Sequence, residues 1–203
     1  MKRFLVIATI LFLSFTTVSY AYETYLPQKE ESLVQYLETI TVSIMSSGSG
    51  TGICSGTIIR EGFDTTYILT AKHCIGVAED MRVENNKVKL IVTSATDDIA
   101  LLYVEGIIPG KSVATIGSIG LKVGEMAYHV SYPNFEKYYR KGVMFRYNHD
   151  WQFLRFKAIG GCSGGGVFNE KGELVGVLWG GFNYNPITII EPLKDVIKFL
   201  EIQ

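Results

Sequence analysis

The chain has 203 residues, 47% of them hydrophobic and 19% charged, with a formal net charge of −1. That length and balance describe an ordinary globular protein with a sizeable core and one or two domains. A near-neutral body lacks the basic face that phosphate binding requires, which excludes a nucleic-acid partner.

Lys2 and Arg3 precede an apolar run over 4–15, and Ser19-Tyr20-Ala21 then places small residues at the two positions a signal peptidase reads. This pattern predicts a signal peptide over 1–21 and a secreted or periplasmic destination. The run falls short of the ~20 apolar residues a spanning helix needs, and no other segment is longer, so no stable membrane span is expected in the mature chain. Cleavage removes two cations, Lys2 and Arg3, and no acid, moving the formal charge from −1 to −3.

Residues 22–40 are mostly polar, with a short helix predicted over 29–37, and read as an N-terminal extension. Short runs rich in Val, Ile, Thr and Tyr then predict strands over 41–44, 52–59, 67–71, 88–93 and 99–104, separated by Gly, Asn and Asp. The pattern loosens over 105–120 around Pro109-Gly110, which reads as a link. Further strands are predicted over 125–131, 142–147, 153–157, 165–168, 174–179 and 187–190, with Asn169-Glu170-Lys171-Gly172 as a hairpin turn. Over 191–202, Leu193, Val196, Ile197 and Leu200 recur at helical spacing behind Pro192. The periodicity gives a mostly β protein of barrel style that ends in one helix.

Three segments in this frame carry chemistry. In Gly161-Cys162-Ser163-Gly164-Gly165-Gly166 small neighbours leave room for a substrate carbonyl beside the serine, and the amides of Gly161 and Ser163 are candidates for holding a developing oxyanion. A glycine-rich hairpin turn has the same composition, so the stretch takes its meaning from two others. Thr70-Ala71-Lys72-His73-Cys74 supplies a histidine at the end of an apolar run, and Asp98-Ile99-Ala100-Leu101-Leu102 supplies a carboxylate at the start of another.

The order His73, Asp98, Ser163, with LTAKHC, DIALL and GCSGGG around them, resembles the chymotrypsin-like (trypsin-fold) serine proteases from about residue 41 to the C-terminus. In style it is similar to short exported bacterial members such as the Htr-type and glutamyl-specific proteases. The resemblance implies an all-β fold of two six-stranded antiparallel β-barrels, over 41–108 and 119–190, with a C-terminal helix over 191–202. It implies a single protease domain over 41–203 with no room after Gln203 for the peptide-binding module of the Htr type. The activity implied is that of a serine endopeptidase, acting on protein or peptide substrates through an acyl-enzyme. His73 would take the Ser163 proton and return it to the leaving amine, while Asp98 fixes the imidazole tautomer. Asp97 competes for that role, but the family's aspartate stands directly before an Ile/Leu-Ala-Leu strand, which here is Asp98.

Three cysteines in an exported chain imply one bridge and one leftover, and the family pairs the residues corresponding to Cys54 and Cys74. Closing that ~20-residue loop is worth about 3 kcal/mol in the chain-entropy model. Trp179 and Gly180 fall on the strand that lines the specificity pocket and pairs with the substrate backbone. Lys157 falls near the pocket floor, which would favour an acidic substrate side chain, and Arg155 takes that part under a shifted alignment. Both also read as solvated strand residues.

The chain departs from the digestive members at Cys162, where they carry an aspartate that binds the freed N-terminus. It is therefore expected to be competent on folding. Cys162 is read as a small buried side chain rather than the nucleophile, because Ser163 is the residue followed by Gly-Gly. His129 is read as a packed histidine and His149 as an exposed one. Neither HExxH nor CxxC spacing occurs, so no metal and no cofactor are expected. The competing readings are an inert protease-fold binding protein and an esterase using the same triad.

Overall fold

A computed structural model of the chain describes residues 28–48, 52–75, 78–182 and 184–203. The signal peptide expected over 1–21 lies outside them. The described part begins with helix α1 (Gln28–Ile40), whose first turn up to Ser32 belongs to a separate compact unit from Leu33–Gln203. The strands β1 (Thr41–Gly48), β2 (Gly52–Gly62), β3 (Thr65–Thr70), β4 (Ala78–Val83), β5 (Asn86–Thr93) and β6 (Ala100–Glu105) follow. They close a barrel in the order β1-β2-β3-β6-β5-β4, every pairing antiparallel.

A second closed barrel is built from β7 (Met126–Ser131), β8 (Tyr138–Tyr147), β9 (Gln152–Leu154), β10 (Gly166–Phe168), β11 (Leu174–Gly181) and β12 (Thr188–Pro192). Helix α2 (Leu193–Leu200) ends the fold, with Leu193, Val196 and Phe199 buried and Pro192 at its N-cap. The two six-stranded antiparallel barrels and the closing helix are the architecture the family resemblance implies.

Each barrel is filled by the inward-facing members of its strands, as the pleat requires. Val42, Ile44, Ile58, Ile68, Leu102 and Val104 pack in the first, and Ala127, Met144, Leu154, Val167, Val175 and Ile190 in the second. The connection between them is fastened to both. Ala114 donates its amide to the Ile58 carbonyl at 2.8 Å, and Ile116 bridges to Leu174 on β11.

Several bounds differ from the sequence reading by a few residues, β8 beginning at Tyr138 where 142 is predicted, and three differences have a local cause. β4 has no counterpart there, because only Met81 and Val83 turn into the core while Asp80 and Arg82 pair on the outer face at 3.0 Å. The strand predicted over 153–157 stops at Leu154. Arg155 adds one bond to the Val143 carbonyl at 3.0 Å before the chain turns into the loop that carries Ser163. The helix predicted over 29–37 extends to Ile40, and its later residues Val34, Leu37 and Ile40 are buried. Gly172, at φ +78° in the turn after β10, has no room for a side chain because Tyr36 of that helix lies against it.

Candidate active site

His73 stands in a short 3-10 turn, Lys72–Cys74, that leaves the end of β3. Asp98 stands just before β6, the strand paired with β3 in the register Thr70↔Ala100. The pairing therefore brings together two residues that the chain separates. The Lys72 amide donates to the Asp98 carbonyl at 3.1 Å and the His73 amide to Asp98 Oδ1 at 2.8 Å. His73 Nδ1 lies 2.5 Å from Asp98 Oδ2. A carboxylate only accepts, so the contact places a hydrogen on Nδ1, and in a neutral imidazole Nε2 is then the nitrogen that keeps its lone pair.

The adjacent Asp97 is turned elsewhere. Its Oδ2 accepts the Ser94 hydroxyl at 2.9 Å and the Thr96 hydroxyl at 2.7 Å, closing the turn before β6. Lys72 reaches the same turn, donating Nζ to the Ser94 carbonyl at 2.8 Å. Behind Asp98, its amide donates to Glu191 Oε1 at 3.1 Å, so a buried acid from β12 of the second barrel supports the aspartate from below. Burial raises the Glu191 carboxyl to about 7, and the charges of Asp97, Asp98 and Asp195 push the same way against the Asp98 amide.

Ser163 lies in the loop between β9 and β10. The loop docks on the first barrel through the Ser55 amide, which donates to the Ser163 carbonyl at 2.8 Å. Cys74 Sγ stands 3.6 Å from that carbonyl; a bridged sulfur has no hydrogen to give, so this is a packing contact. Gly164 has φ +80°, and a Cβ there would strike Thr70 Oγ1 and the Ser55 carbonyl. Only glycine lets the nucleophile loop approach the strand of His73 so closely.

Two amides of this loop flank the Cys162 amide. Among the described residues those of Gly161 and Ser163 have no hydrogen-bond partner, while the Cys162 amide between them donates to the Ile159 carbonyl at 3.0 Å. Gly161 adopts φ +96°, and a Cβ there would lie 2.7 Å from Pro133 Cα. The Ser163 hydroxyl donates to the Trp179 carbonyl at 3.2 Å, and among the described residues no hydrogen bond joins it to His73. The Trp179 ring stands edge-on to His73 at 6.3 Å between centroids and to Trp151 at 5.2 Å, with the residue 38% exposed.

The other singled-out residues fall as follows. Cys54 and Cys74 form a disulfide with their Cα atoms 6.0 Å apart. Gly180 sits beside a bulge in β11, paired with Ile189, with open space where a side chain would be. Lys157 is exposed with its ammonium unpaired among the described residues, and its carbonyl accepts the Tyr138 hydroxyl at 3.1 Å. The neighbouring Ala158 packs against Gly181, so this segment faces the end of β11. Arg155 covers the Phe145 ring at 4.8 Å.

Cys162 is fully buried, its Sγ accepting the Ser131 hydroxyl at 3.3 Å, and burial pushes its thiol pKa up, away from a reactive thiolate. His129 is also fully buried. Its Nδ1 bonds the Gly166 carbonyl at 2.8 Å, its ring stacks on Phe156 at 5.9 Å, and burial lowers its pKa to about 4, so it is neutral. His149 is exposed beside Asp150.

Two groups of potential metal ligands lie among the described residues. Cys54, His73 and Cys74 form one, but both sulfurs are bonded to each other and offer no thiolate. Asp97, Glu191 and Asp195 form the other, within 4.8 Å of one another. No helix of the described residues is long and apolar enough to cross a membrane.

Ser55, Thr70 and Glu191 are the site residues that sequence reasoning missed. Ser55 follows Cys54 and Glu191 precedes Pro192, yet neither position carries a local signal, because each acts on a segment that is distant along the chain.

A family model described as a trypsin-like peptidase domain matches residues 50–177, more than half of the chain. No curated protein matches. Among solved structures, a serine endoprotease of Yersinia pestis superposes with a TM-score of 0.74 at 22% identity, covering 87% of this chain and 67% of that one. A protease of M. tuberculosis in its active form superposes with a TM-score of 0.75 at 16% identity, covering 85% and 84%. The inactive form of the same protease gives 0.72 at 16% identity, covering 85% and 92%. The structural likenesses establish the fold, and with the family match over the segment that holds His73, Asp98 and Ser163 the chain belongs to the trypsin-like peptidase family of serine-type endopeptidases.

Proposed function

We propose that this chain is an exported endopeptidase in which Ser163 is the nucleophile, His73 the general base and acid, and Asp98 the group that orients the imidazole. The observation that carries this reading is the His73–Asp98 contact: both carboxylate oxygens are taken up by His73, and the imidazole Nε2 has no hydrogen-bond partner among the described residues. Neutral serine is a weak nucleophile at pH 7, and a bare imidazole nitrogen beside it remedies that. In this reading the Ser163 hydroxyl, which donates to the Trp179 carbonyl at 3.2 Å in this structure, turns to give its hydrogen to His73 Nε2. Oγ then bonds the scissile carbonyl carbon, and the oxygen that becomes an anion is received by the Gly161 and Ser163 amides. Collapse breaks the C–N bond as His73 returns the proton to the amine. Water repeats the sequence on the acyl-enzyme and frees Ser163.

Trp179 and Gly180 would bind the substrate backbone beside the nucleophile. Lys157, an unpaired cation next to the segment that faces β11, would favour an acidic side chain in the pocket. The signal-like residues 1–21 support export to a secreted or periplasmic location, with Tyr22 as the mature N-terminus.

The test is labelling of the folded chain with a fluorophosphonate, alongside casein hydrolysis and cleavage mapping on a peptide library. Wild type is expected to label and cleave, with sites after Glu and Asp, and Ser163→Ala is expected to lose ~10⁴-fold or more of the activity. Equal behaviour of the two proteins on casein, with no labelling, would favour the inert binding protein. Cleavage of esters alone would favour the esterase. Sites clustered after Val or Ala would remove Lys157 from the pocket.

A further inference from the structure

Catalysis by this arrangement depends on keeping the Gly161 amide available to an oxyanion, and glycine has the backbone freedom to turn it away. Digestive relatives carry, directly before the serine, an aspartate that binds the freed N-terminus. Here that residue is Cys162, whose sulfur only accepts the Ser131 hydroxyl, so the order of this turn must come from elsewhere.

The structure points to Ser55 of β2, which is fully buried and has all its polar groups engaged. Its hydroxyl donates to the Gly161 carbonyl at 2.9 Å and accepts the Tyr132 amide at 3.0 Å. An amide can only donate, so the single hydroxyl hydrogen is committed to Gly161. Its own amide donates to the Ser163 carbonyl at 2.8 Å, and its carbonyl accepts the Thr70 hydroxyl at 2.8 Å. One oxygen atom thereby holds both sides of a close contact. Tyr132 leads directly into Pro133, the residue packed against Gly161, and the Gly161 carbonyl is tied to that same oxygen. Loss of the hydroxyl would leave the Gly161 carbonyl unsatisfied where water does not reach, and a turn with no partner on that side is free to rotate its amides.

We infer that Ser55 is a positioning residue for the oxyanion hole, a neutral clamp from the first barrel that does the work of the missing ion pair. The inference rests on the peptidase reading above. It extends that reading from the residues that touch substrate to one that acts through Gly161.

The experiment compares the full-length chain with its Ser55→Ala and Ser55→Cys variants, using fluorescein-labelled casein for kcat and KM and phenylboronic acid as a mimic of the tetrahedral intermediate. In Ser55→Ala, kcat is expected to fall ~10- to 100-fold, below the ~10²- to 10³-fold that follows outright removal of an oxyanion donor. KM should stay within about threefold, and boronate affinity should weaken in step with kcat. Ser55→Cys, nearly isosteric with a weaker donor, should fall between. A folded Ser55→Ala with unchanged kcat and boronate affinity overturns the inference, as does a loss confined to KM. Failure of both variants to fold overturns it too, since Ser55 would then be a determinant of folding. An inert, unlabelled wild type would instead overturn the peptidase reading and this one with it, so the two failures are distinct.

Discussion

The two sides of the cleft treat their polar groups in opposite ways. On the first-barrel side nearly everything is committed: both Asp98 oxygens take His73, its amide takes Glu191, and its carbonyl takes Lys72. On the second-barrel side the loop of Ser163 leaves the Gly161 and Ser163 amides without partners among the described residues and gives the Ser163 hydroxyl a 3.2 Å bond to the Trp179 carbonyl. The proposed mechanism accounts for the contrast. A general base has to wait in one tautomer and one orientation, which saturation of its partners enforces. Groups that meet charge only in the transition state have to stay empty until then, because a donor already satisfied gains nothing when the oxyanion forms.

The largest effect expected from breaking the saturated side is at Asp98. Asp98→Asn keeps the shape but offers an N–H where His73 Nδ1 needs an acceptor, which drives the ring toward the wrong tautomer and should cost ~10³- to 10⁴-fold in kcat on labelled casein. Asp97→Asn serves as the contrast. Its carboxylate binds only the Ser94–Asp97 turn, so activity should stay within about tenfold. Equal losses in both variants would erase the distinction the geometry draws between the two acids.

A smaller effect is expected where the two sides are tied together. The Cys54–Cys74 bridge joins the residue before Ser55 to the residue after His73, so it holds the clamp on the serine loop and the base in one frame. Replacing both cysteines by alanine should cost about 3 kcal/mol. For a chain of this size that lowers the melting temperature by roughly 6–12 °C. Activity below the transition should survive, because neither sulfur donates or accepts in the chemistry. A melting temperature unchanged by the double substitution would show that the bridge constrains nothing the core does not already fix.

What could be read in the sequence divides along the same physical line. His73, Asp98 and Ser163 each sit in a short segment whose own residues mark it: an apolar strand ending in a turn, a carboxylate opening a strand, and small residues around a serine. Strands with inward-facing Ile, Leu and Val were legible from short runs rich in Val, Ile, Thr and Tyr between turn residues. β4 was not, because its apolar content is Met81 and Val83 between charged neighbours. Ser55 and Glu191 were illegible for a different reason. Their partners lie 106 and 93 residues away, and no local pattern encodes a hydrogen bond that exists only once two barrels are docked. The disulfide occupies the middle ground, since cysteine count gives one bridge and only the family resemblance says which.

The smallest expected effect concerns Glu191, the buried acid behind Asp98, and it appears as a pH dependence. Its carboxyl is held at about 7 mainly because burial penalises the ionised form, while an unfolded chain releases the same proton near the ordinary value of 4.5. Between those values the native state binds more protons than the unfolded state, so the stabilising contribution of neutral Glu191 is fully present below about pH 4.5 and is lost as pH rises through 7. Glu191→Gln keeps the shape and an oxygen for the Asp98 amide but has no proton to lose. Urea denaturation of both proteins from pH 5 to pH 8 should therefore show wild type losing on the order of 2 kcal/mol relative to the variant across that range. Asp195, whose carboxyl burial also raises, titrates in both proteins and largely cancels in the difference. A difference that stays level from pH 5 to 8 would mean that Glu191 is ionised throughout, its charge balanced by the Asp98 amide, and that Asp98 rests on a carboxylate and not on a neutral acid.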